Sequence, residues 1–84
     1  MYNYFMLMGV VEGYRDMKDF TIILKVNRDF EKGSDTFEIK FFGALIDMLK
    51  ENISIGEKIA IKGRLVQTIK LELVGERVEF FKGI

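Results

Sequence analysis

The sequence predicts a small all-β domain, a barrel of five strands with one short helix between the third and fourth strands. Two observations predict it. Several short segments place an apolar side chain at every second position, which is the period of a strand that buries one face. The 84 residues include eight glycines and no proline, so glycine alone marks breaks and turns. A single domain over residues 1–84 accommodates all of these elements.

The first two strands are predicted over residues 4–11 and 20–27. Residues 4–11 are apolar on both faces around Gly9, which is typical of a strand covered on both sides. Gly13 and the polar residues 15–19 predict the turn that follows. Residues 20–27 place apolar side chains at alternate positions. The side chains predicted to face the core are Phe20, Ile22, Leu24 and Val26.

A third strand and the helix follow a polar loop at residues 31–35. Residues 36–42 alternate again, with Phe42 on the polar side of the strand, and Gly43 ends the strand. Residues 44–52 then carry apolar side chains at helical spacing. The predicted inward side chains are Phe37, Ile39 and Phe41 in the strand and Leu45, Met48 and Leu49 in the helix.

The last two strands are predicted over residues 58–65 and 69–81, with residues 66–68 between them. In the last strand, Gly75 disturbs the pattern and indicates a bulge that interrupts the strand. Glycines in three of the five strands favour a strongly coiled barrel with the helix over one end; a two-layer α+β domain is the alternative. In the fourth strand the predicted inward residues are Ile59, Ile61, Gly63 and Leu65, and the outward residues are Lys58, Ala60, Lys62 and Arg64.

Composition argues against catalysis and metal binding. The chain has no cysteine and no histidine, and therefore lacks disulfides, thiolate ligands and the commonest general base. Its glycines form no phosphate-binding motif and its acidic residues match no calcium-loop spacing. We therefore expect no enzyme activity, no cofactor and no metal. No apolar run approaches the roughly 20 residues of a membrane span and no signal-peptide pattern is present, so we expect a cytoplasmic protein that does not bind membranes.

Four segments of the chain resemble the bacterial single-stranded DNA-binding protein family, including its primosomal relatives. Residues 3–9 resemble the opening strand of that family, residues 37–43 its central strand ending in Phe-Gly, and residues 72–81 its closing strand. Residues 54–65, Ser-Ile-Gly-Glu-Lys-Ile-Ala-Ile-Lys-Gly-Arg-Leu, resemble its Lys-Gly-x-x-Val-x-Val-x-Gly-Arg-Leu segment. The resemblance implies an OB-fold barrel that binds single-stranded DNA with little sequence preference, in DNA replication, repair and recombination.

The chain also departs from the family pattern. The family has a long hairpin after Gly-Arg-Leu, a basic residue where Val10 stands, and a tail with an acidic tip that recruits partners. Here residues 66–68 alone separate the last strands, and we expect no recruitment through an acidic tail. Net charge is zero, with 13 basic and 13 acidic residues. Two alternatives therefore accompany DNA binding: a primosome-like protein-interaction module with weak nucleic-acid affinity, and an RNA-binding OB domain.

The candidate DNA-binding residues are aromatic and cationic, because bases stack on aromatic rings and cations contact the phosphates. Phe42 matches the aromatic that stacks on bases in the family; its alternative is packing over the barrel end onto the helix. Phe30 matches a DNA-contacting aromatic of the family, although alternation from Phe20 places it on the core side. Tyr14 and Arg15, at the predicted first turn, could also reach a ligand. The outward cations predicted to line one groove on neighbouring strands are Lys25, Lys40, Lys62 and Arg64.

The first strand predicts self-association. Met6, Met8 and Val10 lie on the side of the strand away from the core, and a free apolar edge strand invites pairing with another chain. The resemblance implies the same, because dimers of the family form through this strand. We expect a dimer through residues 3–8, which sheet-face contacts could double into a tetramer, with Tyr4 as a dimer contact or a base-stacking ring. The alternative is a monomer whose apolar face is covered by the C-terminal segment.

Overall fold

The computed structural model describes residues 3–81, which form five strands and one helix. β2 and α1 follow the sequence prediction closely, and α1 lies between β3 and β4 as expected. The elements are β1 (Phe5–Asp16), β2 (Phe20–Asn27), β3 (Ser34–Phe41), α1 (Leu45–Asn52), β4 (Lys58–Gln67) and β5 (Leu71–Phe80).

The strands close into a barrel in the order β1-β2-β3-β5-β4. Neighbouring strands are antiparallel except β3 and β5, which run parallel and pair only at Ile39–Leu73 and Lys40–Val74. β1 pairs with both β2 and β4, and Val10 has a partner on each of them. The predicted five-stranded barrel is therefore confirmed, and the two-layer α+β alternative does not hold.

β1 is longer than the sequence predicts, because it continues through Gly13 to Asp16. Its register with β2 shifts between Val11 and Gly13, so that Glu12 is an extra residue and the strand carries a bulge. The bulge lets one strand pair with β4 over its first half and with β2 over its second. The predicted turn at Gly13 is therefore wrong, and the chain reverses at residues 17–19.

The bulge predicted near Gly75 is confirmed, but it does not interrupt the strand. The register of β4 and β5 shifts beside Gly63, which leaves Glu76 without an opposing residue, while the ladder continues on both sides. β5 begins two residues later than predicted, because Ile69 lies in the loop at residues 68–70. That loop is short, in agreement with the reduced hairpin seen in the sequence.

The fully buried side chains of the barrel core come from β1 to β4 and α1, and β5 adds the partly buried Leu73, Val78 and Phe80. Leu49 of α1 joins this core, and partly buried side chains such as Phe37 and Val26 pack around it. Ala60 was predicted to face outward, but it is only 8% exposed. Its methyl group is small, and the longer side chains of Met8 and Glu79 flank it on the two neighbouring strands. The buried core residues are Val11, Phe20, Ile22, Leu24, Ile39, Phe41, Leu49, Ile59 and Ile61.

The connection from β3 to α1 sets the direction of two adjacent phenylalanines. Phe41 is fully buried and Phe42, the next residue, is exposed, as strand alternation requires. Gly43 then adopts a φ of 76°, a left-handed conformation that glycine reaches without steric cost. The chain turns there, and the helix begins at Leu45 with Ala44 as its N-cap residue.

Candidate nucleic-acid interface

Two exposed phenylalanines stand at opposite ends of the β2–β3 hairpin. Phe30, in the loop between these strands, is 100% exposed, and Phe42, immediately after β3, is 55% exposed. The eight residues of β3 span roughly 25 Å at the usual rise per residue. The packing of Phe30 onto the core that strict alternation suggested is therefore wrong. Both rings offer a face on which a base could stack.

The loop that carries Phe30 is held at its base by charged groups. The Arg28 guanidinium donates two hydrogen bonds to Asp35, of 3.1 Å from Nε and 2.8 Å from Nη2. The Arg28 N–H also donates to the carbonyl of Gly33 at 3.1 Å. The hydrogen bond from Arg28 lowers the pKa of the Asp35 carboxyl and raises that of the guanidinium. The loop thus presents Phe30 to solvent from a fixed base.

The four predicted groove cations do not line one groove, because β4 is not a neighbour of β2 or β3 in the barrel. Lys40 lies 3.2 Å from Glu72 and 3.8 Å from Asp19. Arg64, on β4, is 2.9 Å from Glu76 of β5. Within residues 3–81, the other two predicted cations form no ion pair. They are Lys25 and Lys62.

Tyr14 and Arg15 lie in β1 and not in a turn, which changes what each can contact. Arg15 forms an ion pair with Glu38 of β3, so that it neutralises the middle of the β2–β3 surface. The Tyr14 ring lies 5.9 Å from the ring of Phe20 and is half exposed over the barrel core.

A cavity between β3 and β5 was not predicted from the sequence. It has a volume of about 360 Å³ and lies where the two strands diverge from their short parallel ladder. The exposed Ile69 lies in the same β4–β5 loop as Lys70. No local pattern indicates this cavity, because it depends on how two distant strands meet. Its lining residues are Thr36, Phe37, Glu38, Lys40, Lys70, Leu71, Glu72 and Leu73.

The first half of β1 has one free edge among the described residues. From Phe5 to Gly9 it pairs with β4 alone, because pairing with β2 starts at Val10. A cavity of about 480 Å³ lies along this edge, between β1 and the end of β2. Met6 and Met8 are 64% and 50% exposed, so the C-terminal segment, as far as residue 81, does not cover this face.

The segment before β1 is anchored to β4 by one asparagine. The Asn3 side-chain amide donates to the carbonyl of Leu65 at 2.7 Å, and the Leu65 N–H donates to the Asn3 side-chain oxygen at 3.1 Å. This pair extends the β1–β4 ladder beyond Phe5, which lies opposite Gly63. Tyr4 is thereby held beside the free edge with most of its surface exposed.

The part of the chain from residue 3 to 81 contains no cluster of three or more carboxylates that could hold a metal ion. Over the same residues, α1 is too short and too polar to cross a membrane, and no other helix is present.

Several solved structures are similar to this chain over nearly its whole length. The mitochondrial single-stranded DNA-binding protein Rim1 of S. cerevisiae has a TM-score of 0.85 at 13% identity, covering 98% of this chain and 97% of that one. The dimeric N-terminal domain of PriB from Thermoanaerobacter tencongensis has a TM-score of 0.70 at 22% identity, with 94% and 96% coverage. The Plasmodium falciparum SSB in complex with ssDNA has a TM-score of 0.74 at 17% identity, with 98% and 96% coverage.

No protein-family model matches the sequence, and no curated protein matches it either. The structural likeness therefore defines the fold. The chain is an OB-fold barrel, in the form that single-stranded DNA-binding proteins have, as the resemblance of its four sequence segments implied.

Proposed function

We propose that this protein binds single-stranded DNA with little sequence preference, along the outer surface of the β2–β3 hairpin. The observation that carries the proposal is the pair of exposed rings, Phe30 and Phe42, at the two ends of that hairpin. Each base–aromatic stack contributes roughly 1–3 kcal/mol and tolerates any base, because every base has a π face. The likeness to proteins that bind single-stranded DNA supports the same assignment.

Phosphate contacts would come from cations that are free to exchange water for phosphate. Lys25 lies on β2, opposite Thr36 of β3, and forms no ion pair within residues 3–81. Lys40 is held by Glu72 and Asp19, so a phosphate there must compete with two carboxylates. The chain would therefore rely more on stacking and less on charge than a strongly basic binder does. A role in DNA replication, repair or recombination follows from this activity.

Titration of labelled oligo-dT, oligo-rU and duplex DNA tests the proposal. We expect the single strand to bind more tightly than the duplex. The logarithm of its affinity should fall linearly with the logarithm of salt concentration, with a slope of about −0.7 per neutralised phosphate. Equal affinity for single strand and duplex would contradict the proposal. Preference for oligo-rU over oligo-dT would instead assign the barrel to RNA.

A protein-interaction module with weak nucleic-acid affinity remains the second candidate function. The observation that favours it is the neutralisation of the β2–β3 surface, where Arg15 pairs with Glu38 and Lys40 pairs with Glu72. Absence of detectable oligo-dT binding at low salt, for a folded protein, would favour this candidate.

We infer further that two copies pair through the free edge of β1, from Phe5 to Met8, within the residues 3–8 that the sequence predicted. Unpaired backbone groups along an edge favour addition of another strand, and a two-fold axis would let each copy supply the same edge. A dimer would also join two binding surfaces, which raises avidity without new contacts. We propose a dimer and not a tetramer, because stacking the outer faces of β4 would bring Lys58 and Lys62 of one copy near those of another.

A further inference from the structure

Cations without an acidic partner gather on one outer surface of the barrel. We call it the β1–β4 face; it comprises Met6, Met8 and Val10 of β1 and Lys58, Ala60 and Lys62 of β4, with Lys25 of β2 at its margin. Lys25 and Lys58 both lie opposite Val10, one on each side of β1, and Lys62 lies opposite Met6. None of these three lysines forms an ion pair within residues 3–81, whereas the strand cations elsewhere, apart from Arg77, do. The paired cations of the strands are Arg15, Lys40 and Arg64.

The surroundings of the β1–β4 face leave it positively charged. Arg77 of β5 lies opposite Lys62 and is also without an ion pair in the described part of the chain. Three carboxylates lie at the margins: Glu79, opposite Ala60; Asp29, which lines the cavity beside the free edge; and Glu12, which accepts a hydrogen bond from Thr36, the residue opposite Lys25. The lysines and Arg77 outnumber these acids, although the chain as a whole is neutral. This local excess is the charge signature of a surface that binds an anionic partner.

The centre of the β1–β4 face is apolar and flexible. Met6, Met8 and Val10 are each more than one-third exposed and stand in a row along the outer side of β1. Unbranched thioether side chains adapt to differently shaped apolar partners, and methionine-rich surfaces are typical of sites that accept varied sequences. The flanking lysines lie at both sides of this row, so apolar contacts and charge contacts alternate across the face.

The combination of positive charge and an apolar row of side chains favours one of three kinds of binding partner. A nucleic acid would need aromatic rings for its bases, and the centre of the face carries sulfur and aliphatic groups, with Tyr4 only at one end. A second copy stacked face to face would place lysine near lysine. A protein segment with carboxylates and aliphatic side chains complements both the charge and the apolar row. Edge pairing of β1 leaves this face open, because side chains stand roughly perpendicular to a sheet.

We propose that the β1–β4 face is a docking site for an extended acidic segment of a partner protein, in which carboxylates alternate with aliphatic side chains. The carboxylates would meet Lys58 and Lys62, and the aliphatic groups would pack on Met6 and Met8. Lys25, at the margin of the face, belongs to the proposed DNA surface, and the docking site is separate from that surface. It does not depend on whether the protein binds DNA.

The probe is a fluorescein-labelled ten-residue peptide of alternating Asp and Leu, followed by fluorescence anisotropy with the full chain. Two peptides of equal length serve as controls, one of Asn and Leu and one of Asp and Ser. We expect each control peptide to bind at least tenfold more weakly than the Asp-Leu peptide. Equal binding of the Asp-Ser peptide would reduce the interaction to unspecific charge attraction and overturn the proposal.

Variants locate the site. We expect K58E/K62E to weaken Asp-Leu binding at least tenfold and M6S/M8S to weaken it several-fold. The matched control K18E/K32E changes net charge equally but alters lysines in two loops, and it should change the affinity less than twofold. If K18E/K32E weakens binding as much as K58E/K62E, the β1–β4 face is not the site.

Amide chemical shifts of the unaltered protein give a readout that no folding defect can affect. Addition of the Asp-Leu peptide should shift the amide signals of Met6, Met8 and Lys62 and leave those of Phe30 and Phe42 unchanged. Oligo-dT should not displace the peptide. Shifts confined to the β2–β3 hairpin, or displacement of the peptide from the β1–β4 face by oligo-dT, would overturn the proposal. Failure of oligo-dT to bind at all would bear on the DNA-binding proposal alone.

Discussion

The ring of Phe41 lies directly against the backbone of Gly75, at the point where β3 meets β5. A Cβ atom at Gly75 would lie 2.2 Å from Cε1 and 2.5 Å from Cζ of that ring. The parallel ladder of β3 and β5 has only two residue pairs, Ile39–Leu73 and Lys40–Val74. Few backbone hydrogen bonds therefore join β3 to β5. The packing of Phe41 against Gly75 adds a second contact that holds these two strands together and closes the barrel.

Substitution G75A should lower the free energy of unfolding by about 1–3 kcal/mol, because the added methyl group must displace a buried ring in a filled core. Urea denaturation measures this change. G13A is the matched control: a Cβ there would have Ile23 Cδ1, at 4.0 Å, as its nearest neighbour. An equal loss of stability in both variants would show that Phe41 can move away at little cost.

The two adjacent phenylalanines after β3 should separate stability from binding. F42A is expected to weaken oligo-dT binding by about 1–3 kcal/mol through loss of one stacking ring, with little change in melting temperature. F41A should instead cost about 3–5 kcal/mol of stability, because it empties part of the core. Anisotropy titrations and thermal melts of both variants provide the two measurements. A strongly destabilised F42A with normal DNA affinity would mean that its ring packs over the barrel end.

Phe30 should contribute to binding and not to folding, because its side chain is fully exposed. F30A is expected to weaken oligo-dT binding by about 1–3 kcal/mol and to leave the melting temperature unchanged. F30Y keeps an aromatic face and should bind nearly as the unaltered chain does. If F30A and F30Y bind oligo-dT equally, the ring does not stack on a base.

The Arg28–Asp35 pair should make the base of the Phe30 loop sensitive to acid. The pKa of Asp35 is lowered in the folded protein, mainly by the hydrogen bond from Arg28. A group with a lowered folded-state pKa stabilises the fold fully above its ordinary pKa, near pH 4, and this contribution is lost as pH falls through the lower folded value. A carboxyl NMR titration should show the pKa of Asp35 rising toward its ordinary value in R28A. An unchanged pKa in R28A would contradict the assigned cause.

Self-association through β1 should be sensitive to charge on the exposed side of the edge strand. M6K/M8K places lysines near one another across an antiparallel, two-fold dimer contact, where like charges are destabilising. We expect native mass spectrometry at about ten micromolar to show a dimer for the unaltered chain and a larger monomer fraction for M6K/M8K. M17K/I69K, which alters two exposed loop residues, is the control. A monomer for the unaltered chain would contradict the proposal that two copies pair through the edge of β1.

The alternation of apolar residues predicted a strand and its inward side chains correctly wherever the alternation runs without interruption along the strand. Alternation predicted β2 at Phe20–Asn27 and the inward positions of Phe41 and Ile61, because side chains at alternate positions of these strands face the barrel core. The same alternation distinguished Phe42 from Phe41. It was wrong for Phe30, since a residue beyond the end of a strand no longer follows the period of that strand.

The fold class, the helix position and most of the core follow from the sequence by itself, because burial of alternating side chains depends on neighbours along the chain. The length of β1 does not follow from the sequence by itself. It depends on a bulge at Glu12 that allows β1 to pair with β4 in its first half and with β2 in its second. The sequence alone also did not predict the ion pairs of Lys40 with Glu72 and of Arg64 with Glu76. These groups meet because β5 inserts between β3 and β4 when the barrel closes, and this closure places the free lysines on the β1–β4 face.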